Sequence, residues 1–113
     1  MANKLLRIAC ALIGACVGVP TSHASGPILT TITIMVANSE GIGFIYPAAS
    51  PPAYATCASQ LRYAINLATP GGQGMWATAL TSFKTHSQVS FLGKNTCDVW
   101  GDTESLEYVW AYP

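Results

Sequence analysis

Apolar and polar residues alternate along several stretches of the chain, which is the pattern of β-strands with one buried face. Residues 28–37 are rich in β-branched side chains and predict the first strand, with Ile28, Ile32, Ile34 and Val36 on one face. A turn leads to a second alternating stretch at 42–46, and a third follows at 61–67. Alanine, leucine and arginine in the third stretch also favour helix, so a helix over 58–68 is an alternative there.

One helical pattern follows the third stretch. Thr69 and Pro70 supply a capping hydroxyl and a proline at the first helical position. Apolar residues then recur at helical spacing, namely Met75, Trp76, Ala79, Leu80 and Phe83. We expect this stripe to pack in the core, with Lys84 and His86 closing the helix.

Alternation resumes in residues 88–112 and predicts a β-hairpin. The second strand of the hairpin has one face formed by Leu106, Tyr108, Trp110 and Tyr112. This face is broad enough for the core or for a subunit interface. The loop between the two strands holds a cysteine, a tryptophan and acidic residues, so the chemically distinctive groups cluster at one end of the sheet.

The predicted order of elements is β-β-β-α-β-β. The segment 47–56 is a loop, because its prolines cannot donate hydrogen bonds within a central strand. A small α+β sandwich fits this order. A closed five-stranded antiparallel barrel, the OB fold, also fits and hides the edges of its sheet better. We therefore expect a mainly β, OB-fold-like barrel with one helix.

Residues 1–24 have the composition of a secretory signal peptide. Basic residues precede an apolar run, Pro20 interrupts the run, and small residues precede a cut before Ser25. The run is too short to span a membrane. The alternative is a lipoprotein leader in which Cys16 becomes the lipidated N-terminus. Either leader predicts one exported domain, residues 25–113. The signal peptide makes it secreted or periplasmic, whereas the lipoprotein leader anchors it through Cys16.

Two of the four cysteines belong to this leader, which leaves Cys57 and Cys97 in the mature domain. An oxidising compartment favours a disulfide between them over two free thiols or half of a metal site. A zinc site would need further ligands, and His86 is the one histidine after the leader. We expect one disulfide and no metal.

Charged residues make up 9% of the chain, and no basic cluster stands out. This balance argues against a nucleic-acid partner, which demands a basic surface. The glycine-rich segment 71–74 lacks the lysine of a phosphate loop, and no serine nucleophile motif is present. We expect neither an enzyme nor a cofactor. A small hydrolase using Asp102 and Glu104 is the minor alternative.

Aromatic and polar residues meet in the loop of the hairpin. Trp100 offers an indole on which the C–H face of a sugar can stack, while Asp98, Asp102 and Thr103 can bond to hydroxyls. These four residues are the candidate ligand-binding set. The loop acids are also potential calcium ligands, although their spacing differs from an EF-hand. For Trp100, the alternative is a plug at the barrel end beside the disulfide.

Roughly the last half of the chain has a recognisable order of elements. A cysteine precedes a strand, and an amphipathic helix, a strand, a second cysteine and a last strand follow. The motifs are Met75-Trp76, Val89-Ser90-Phe91, Cys97 and Tyr108-Val109-Trp110. This pattern resembles the B subunits of subtilase-cytotoxin and pertussis-like toxins. It looks closer to a group of small secreted bacterial proteins described as similar to that subunit.

The resemblance implies an OB fold, a ring of five copies, binding of host surface glycans such as sialylated chains, and a separate catalytic A subunit. None of the family's sugar-contacting residues is matched to a position here. Our leading expectation is a secreted, disulfide-linked glycan-binding subunit that forms a homo-oligomer. The alternative is a secreted structural or inhibitory module that binds protein through the face of Tyr108, Trp110 and Tyr112.

Overall fold

The computed structural model of the protein describes residues 26–113. The predicted leader, its cut before Ser25 and the lipidation alternative at Cys16 lie outside the described residues, so they stay predictions. Within residues 26–113, the helix that is present is neither long nor apolar enough to cross a membrane.

Six strands and one helix form this part of the chain. They are β1 (Ile28–Thr30), β2 (Ile32–Ala37), β3 (Ile42–Pro47), β4 (Tyr63–Asn66), α1 (Pro70–Thr85), β5 (Val89–Gly93) and β6 (Glu104–Ala111). The strands form a single curled, mixed sheet, a half-barrel, in the order β1-β5-β6-β4-β3-β2. The prediction of a mainly β domain with one helix is confirmed.

The sheet differs from the predicted one in two respects. The first predicted strand is divided at Thr31 into β1, which pairs with β5, and β2, which pairs with β3. In addition, β4 and β6 pair in parallel, whereas we expected an all-antiparallel sheet. A parallel pair needs a long crossover connection, and α1 together with β5 provides it here.

The third predicted strand forms as a strand and not as a helix. β4 lies between β3 and β6, and Tyr63, Ala64 and Ile65 are all buried. Leu61, which the alternation placed in the same strand, is 66% exposed and precedes it. Pairing on both sides of the segment outweighs the helix propensity of its residues, because tertiary context overrides a weak local preference.

The core lies between the sheet and α1. Its buried members are Ile32, Ile45, Tyr63, Ile65, Ala79, Val89, Phe91 and Leu106, with Met75, Trp76 and Phe83 of the helix packed against them. The predicted role of the helical stripe is therefore confirmed for these residues. Leu80, at the margin of the stripe, is 39% exposed.

Two β-bulges change which side chains face the core. One extra residue lies between Ile32 and Ile34 in β2, and another lies between Leu106 and Tyr108 in β6. Ile32 and Leu106 are buried, whereas Ile34 and Tyr108 are exposed. The predictions that each pair shares one face are wrong, because an extra residue inverts the alternation that follows it.

Helix α1 begins and ends as the sequence predicts. Thr69 Oγ1 accepts a hydrogen bond from the amide of Gly72 at 3.0 Å and donates one to the carbonyl of Asn66 at 3.1 Å. His86 closes the helix in the left-handed conformation, with φ of 54°. These bonds hold the first turn of α1 against the end of β4.

Gly72→Ala should destabilise the domain. A Cβ at this position would lie 1.8 Å from the carbonyl oxygen of Asn66, so the backbone must shift. Such overpacking costs up to about 3 kcal/mol of unfolding free energy, which urea denaturation measures. Gly74→Ala is the matched control, because nothing lies within 4 Å of its Cβ. The control should gain up to about 1 kcal/mol, and equal stability of the two variants would refute this packing.

Candidate functional site

A disulfide joins the loop before β4 to the β5–β6 loop, residues 94–103. Cys57 and Cys97 are bridged with their Cα atoms 6.1 Å apart, so the predicted disulfide is confirmed. A disulfide is compatible with an extracellular or periplasmic location. The bridge fastens the loop that carries all four residues of the predicted ligand-binding set.

Glu104 makes a second connection between the same two loops. Its side chain is fully buried, and its carboxyl oxygens accept hydrogen bonds from the amides of Ala55 and Asn95. Asp102, its partner in the hydrolase alternative, instead contacts Arg62 at 3.3 Å. The two carboxyl groups therefore have different surroundings. Glu104 connects the two loops through its hydrogen bonds.

Trp100 lies in a tight turn of the β5–β6 loop and packs on the sheet. The amide of Thr103 donates to the carbonyl of Trp100 at 3.0 Å. The indole meets the ring of Phe44 edge-on, with ring centroids 5.4 Å apart and planes at 88°. The guanidinium carbon of Arg62 lies 4.1 Å from the centroid of the same phenyl ring. Trp100 is thus partly buried against β3.

Arg62 holds this group of side chains together. Its Nε donates to Thr103 Oγ1 at 3.0 Å, and its Nη1 donates to Tyr46 Oη at 2.8 Å. Its Nη2 donates to Asp102 Oδ1 at 3.3 Å. A hydrogen bond from the Thr103 hydroxyl, together with Arg62, lowers the pKa of Asp102. We call this set the Trp100 surface. Tyr46, Arg62, Trp100 and Asp102 are its partly exposed members, and Phe44 and Thr103 are buried beneath them.

Asp98 has different partners from the other three predicted site residues. Its Oδ1 accepts hydrogen bonds from Ser105 Oγ at 2.5 Å and Thr96 Oγ1 at 2.9 Å, and its Oδ2 lies 3.5 Å from Lys94 Nζ. The structure therefore brings Trp100, Asp102 and Thr103 together in the Trp100 surface. It places Asp98 at a neighbouring cavity of about 220 Å³.

Phe44, Tyr46 and Arg62 were not among the residues that the sequence pattern predicted for the site. The first two looked like ordinary residues of an alternating strand, and Arg62 looked like a polar position in the next one. One signal was available: Arg62 is the only arginine after the predicted leader in a chain with few charges. An isolated cation among aromatic residues is a candidate for ring stacking and for binding a carboxylate.

The acids of the β5–β6 loop do not form a metal site in the described part of the chain. In residues 26–113, no three histidine, cysteine, aspartate or glutamate side chains group as ligands of one ion. Asp98 and Asp102 are instead engaged by the hydroxyl and cationic groups described above.

Acid should weaken the fold partly through Asp98. Hydrogen bonds from Ser105 and Thr96 lower the pKa of this carboxyl from 3.8 to about 2. A folded-state pKa below the unfolded one stabilises the protein above the unfolded pKa, and this stability is lost as the pH falls from about 3.8 to about 2. Asp98→Asn should flatten the dependence of the urea midpoint on pH in this range.

Asp102 retains part of that dependence in the variant, because its pKa is also lowered. The wild-type NMR titration of the Asp98 carboxyl is the direct check. A midpoint at the ordinary aspartate value would contradict the hydrogen bonds proposed as the cause.

Comparison with known proteins adds no relative to these observations. No family model matches the chain, and neither a curated protein nor a solved structure matches it. The Trp100 surface and the topology of the sheet are therefore the features that bear on function.

Proposed function

We propose that this protein is a secreted, OB-fold glycan-binding subunit that forms a homo-oligomer and carries no catalytic activity of its own. The Trp100 surface is the observation that carries the proposal. It fixes aromatic rings beside hydroxyl, carboxylate and guanidinium groups, the combination that stacks on the C–H face of a sugar and bonds to its hydroxyls. Its polar side chains are already held by hydrogen bonds, so little conformational freedom is lost on binding.

The order of the strands supports the OB assignment. β1 and β2 are separated by Thr31 alone, so they count as one bent strand. The strands then follow the order 1-2-3-5-4-1, with the helix between the third and fourth. OB folds bind ligands on the face of their second and third strands and in the loop between the fourth and fifth. The Trp100 surface lies at the corresponding place.

The resemblance to toxin B subunits suggests how such a subunit works. One shallow site binds weakly, but copies repeated around a ring gain avidity through effective concentration. On this proposal the subunit forms a ring of five copies, binds host surface glycans, and accompanies a separate catalytic A subunit. The disulfide and the predicted leader support export.

Trp100→Ala should abolish binding on a glycan array. The variant removes the stacking ring. Phe44 remains in β3 and Arg62 remains immediately before β4, so the domain should still fold. Leu80→Ala is the control, because it also shortens an apolar side chain that is 39% exposed, and Leu80 lies in α1, outside both the Trp100 surface and the face of Tyr108 and Trp110. Loss of the folded circular-dichroism spectrum in Trp100→Ala would favour the structural role of this ring. Unchanged array binding would refute the site.

A second candidate function is protein binding through the face of Tyr108, Trp110 and Tyr112. These side chains are 51%, 42% and 44% exposed, and the first two rings stack with centroids 5.3 Å apart. Exposed aromatic residues are typical of protein interfaces. Light scattering separates the candidates: a persistent monomer without glycan binding favours this second function, and dissociation of an oligomer by Trp110→Ala makes the face a subunit interface.

A further inference from the structure

The cavity beside Asp98 is distinct in its lining from the Trp100 surface. It lies between the ends of β4 and β6, the first turn of α1 and the start of the β5–β6 loop. Its volume of about 220 Å³ is below the roughly 300 Å³ at which sites for drug-sized ligands begin. A cavity of this size suits one small ring and not a longer chain.

The cavity lies beside the parallel pair in the sheet. β4 and β6 pair only at Tyr63 with Glu104 and at Ala64 with Ser105. The cavity is lined on both sides of this point, and the close packing of Gly72 brings the first turn of α1 to its edge. Apolar walls come from Met75 and Leu106 among others. Such walls fit the C–H groups of a sugar ring.

A donor and an acceptor stand side by side at the cavity. Lys94 Nζ lies 3.5 Å from Asp98 Oδ2, which is long for a hydrogen bond, and the two side chains are 48% and 55% exposed. Asp98 Oδ1 is held by Ser105 and Thr96, so the carboxylate is oriented at the cavity that Asp98 lines. Two adjacent hydroxyls can use this pair, one accepting from Lys94 and the other donating to Asp98.

The charges favour a neutral ligand. Hydrogen bonds lower the pKa of Asp98 to about 2, so the group is a carboxylate at neutral pH. A carboxylate at the wall repels an acidic sugar, and the cation next to it, Lys94, is already its partner. The cation of the Trp100 surface, Arg62, is likewise paired with Asp102.

We propose that this cavity binds a single neutral sugar ring through two adjacent hydroxyls, one on Lys94 and one on Asp98. The inference rests on the proposed glycan-binding function and names the sugar class. The ring in the cavity is the end of the glycan, and the next sugar lies toward Trp100, because the same loop forms the cavity wall and carries the indole. Neutral ends are bound in preference to sialylated ones.

Amide NMR titration of the intact wild-type protein, in its own oligomeric state, tests the proposal. The ligands are free galactose, glucose, mannose and N-acetylneuraminic acid. At least one neutral sugar should shift the amides of Asn66, Val99 and Ser105, and N-acetylneuraminic acid should not. Lys94→Met and Asp98→Asn should each weaken this binding about tenfold, the loss expected for one hydrogen bond to a charged group. Lys84→Met is the control; it removes the same charge from the far end of α1 and should bind as the wild type does.

The outcomes separate this inference from the proposed function. If the glycan array and the titration both show no binding by the wild type, both fail. If the array shows binding that Trp100→Ala abolishes, while Lys94→Met binds with unchanged affinity or N-acetylneuraminic acid is preferred, only the inference is overturned. Lys94→Met leaves the hydrogen bonds of Asp98 with Ser105 and Thr96 in place, so it decides the question even where Asp98→Asn unfolds.

Discussion

Glu104→Ala is expected to lower the free energy of unfolding by about 4 kcal/mol. The change leaves the amides of Ala55 and Asn95 without their acceptor, and an unsatisfied buried donor costs about 1 to 3 kcal/mol. Small domains are stabilised by about 5 to 15 kcal/mol in total, so the loss is severe. Urea denaturation followed by tryptophan fluorescence measures it.

Two variants sharpen this test. Glu104→Gln keeps the volume of the side chain but turns its NH2 group toward one of the two amides, so it should lose part of the stability. Glu107→Ala lies on the same strand in an exposed position and should change stability by less than about 0.5 kcal/mol. Equal effects of Glu104→Ala and Glu107→Ala would show that the buried carboxyl does not join the loops.

Loss of the disulfide should have an effect of similar size. The bridge closes a loop with a sequence separation of 40 residues, and its removal restores about 4 kcal/mol of chain entropy to the unfolded state. The double variant Cys57→Ala, Cys97→Ala should therefore melt about 20 °C below the wild type in calorimetry. Glycan binding should weaken as well, since the β5–β6 loop loses a covalent tie.

Reduction of the wild type supplies the control for this variant. A thiol reductant should lower the melting temperature of the wild type to that of the double variant and leave the double variant unchanged. Adding Glu104→Ala should cost less than it does in the bridged protein, because both connections join the same two loops. A double variant with the melting temperature of the wild type would show that the bridge contributes nothing to stability.

The candidate site was predictable where it depends on one segment. Trp100, Asp102 and Thr103 lie within four positions of each other, and the structure keeps them together. Arg62 lies 40 positions before Asp102, and its bond to that residue depends on how β4 meets β6. No local pattern reports such a contact. For Asp98 the prediction failed in the opposite way. It lies close to Trp100 in sequence, but its side chain bonds to Ser105 and Thr96 and not to the residues of the Trp100 surface.

The sheet shows the same division. The alternation in 28–37 correctly predicted strand, but it could not reveal the division at Thr31 or the extra residue between Ile32 and Ile34. Both features depend on which strands are neighbours in the sheet and on which of their residues pair. The additional residue exposes Ile34, which a regular strand would bury. A shift of one residue in register therefore changes which side chains lie on the surface.

The sequence by itself determined the features that rest on local chemistry or on simple counting. The strands follow from alternation, the start of α1 follows from Thr69 and Pro70, and the disulfide follows from the two cysteines that remain after the predicted leader. Only the tertiary structure decided the parallel pairing of β4 with β6, the burial of Glu104 and the separation of Asp98 from the Trp100 surface. The physical reason is that these features are contacts between distant segments, and their geometry is set by strand register and bulges that the packing of the whole sheet selects.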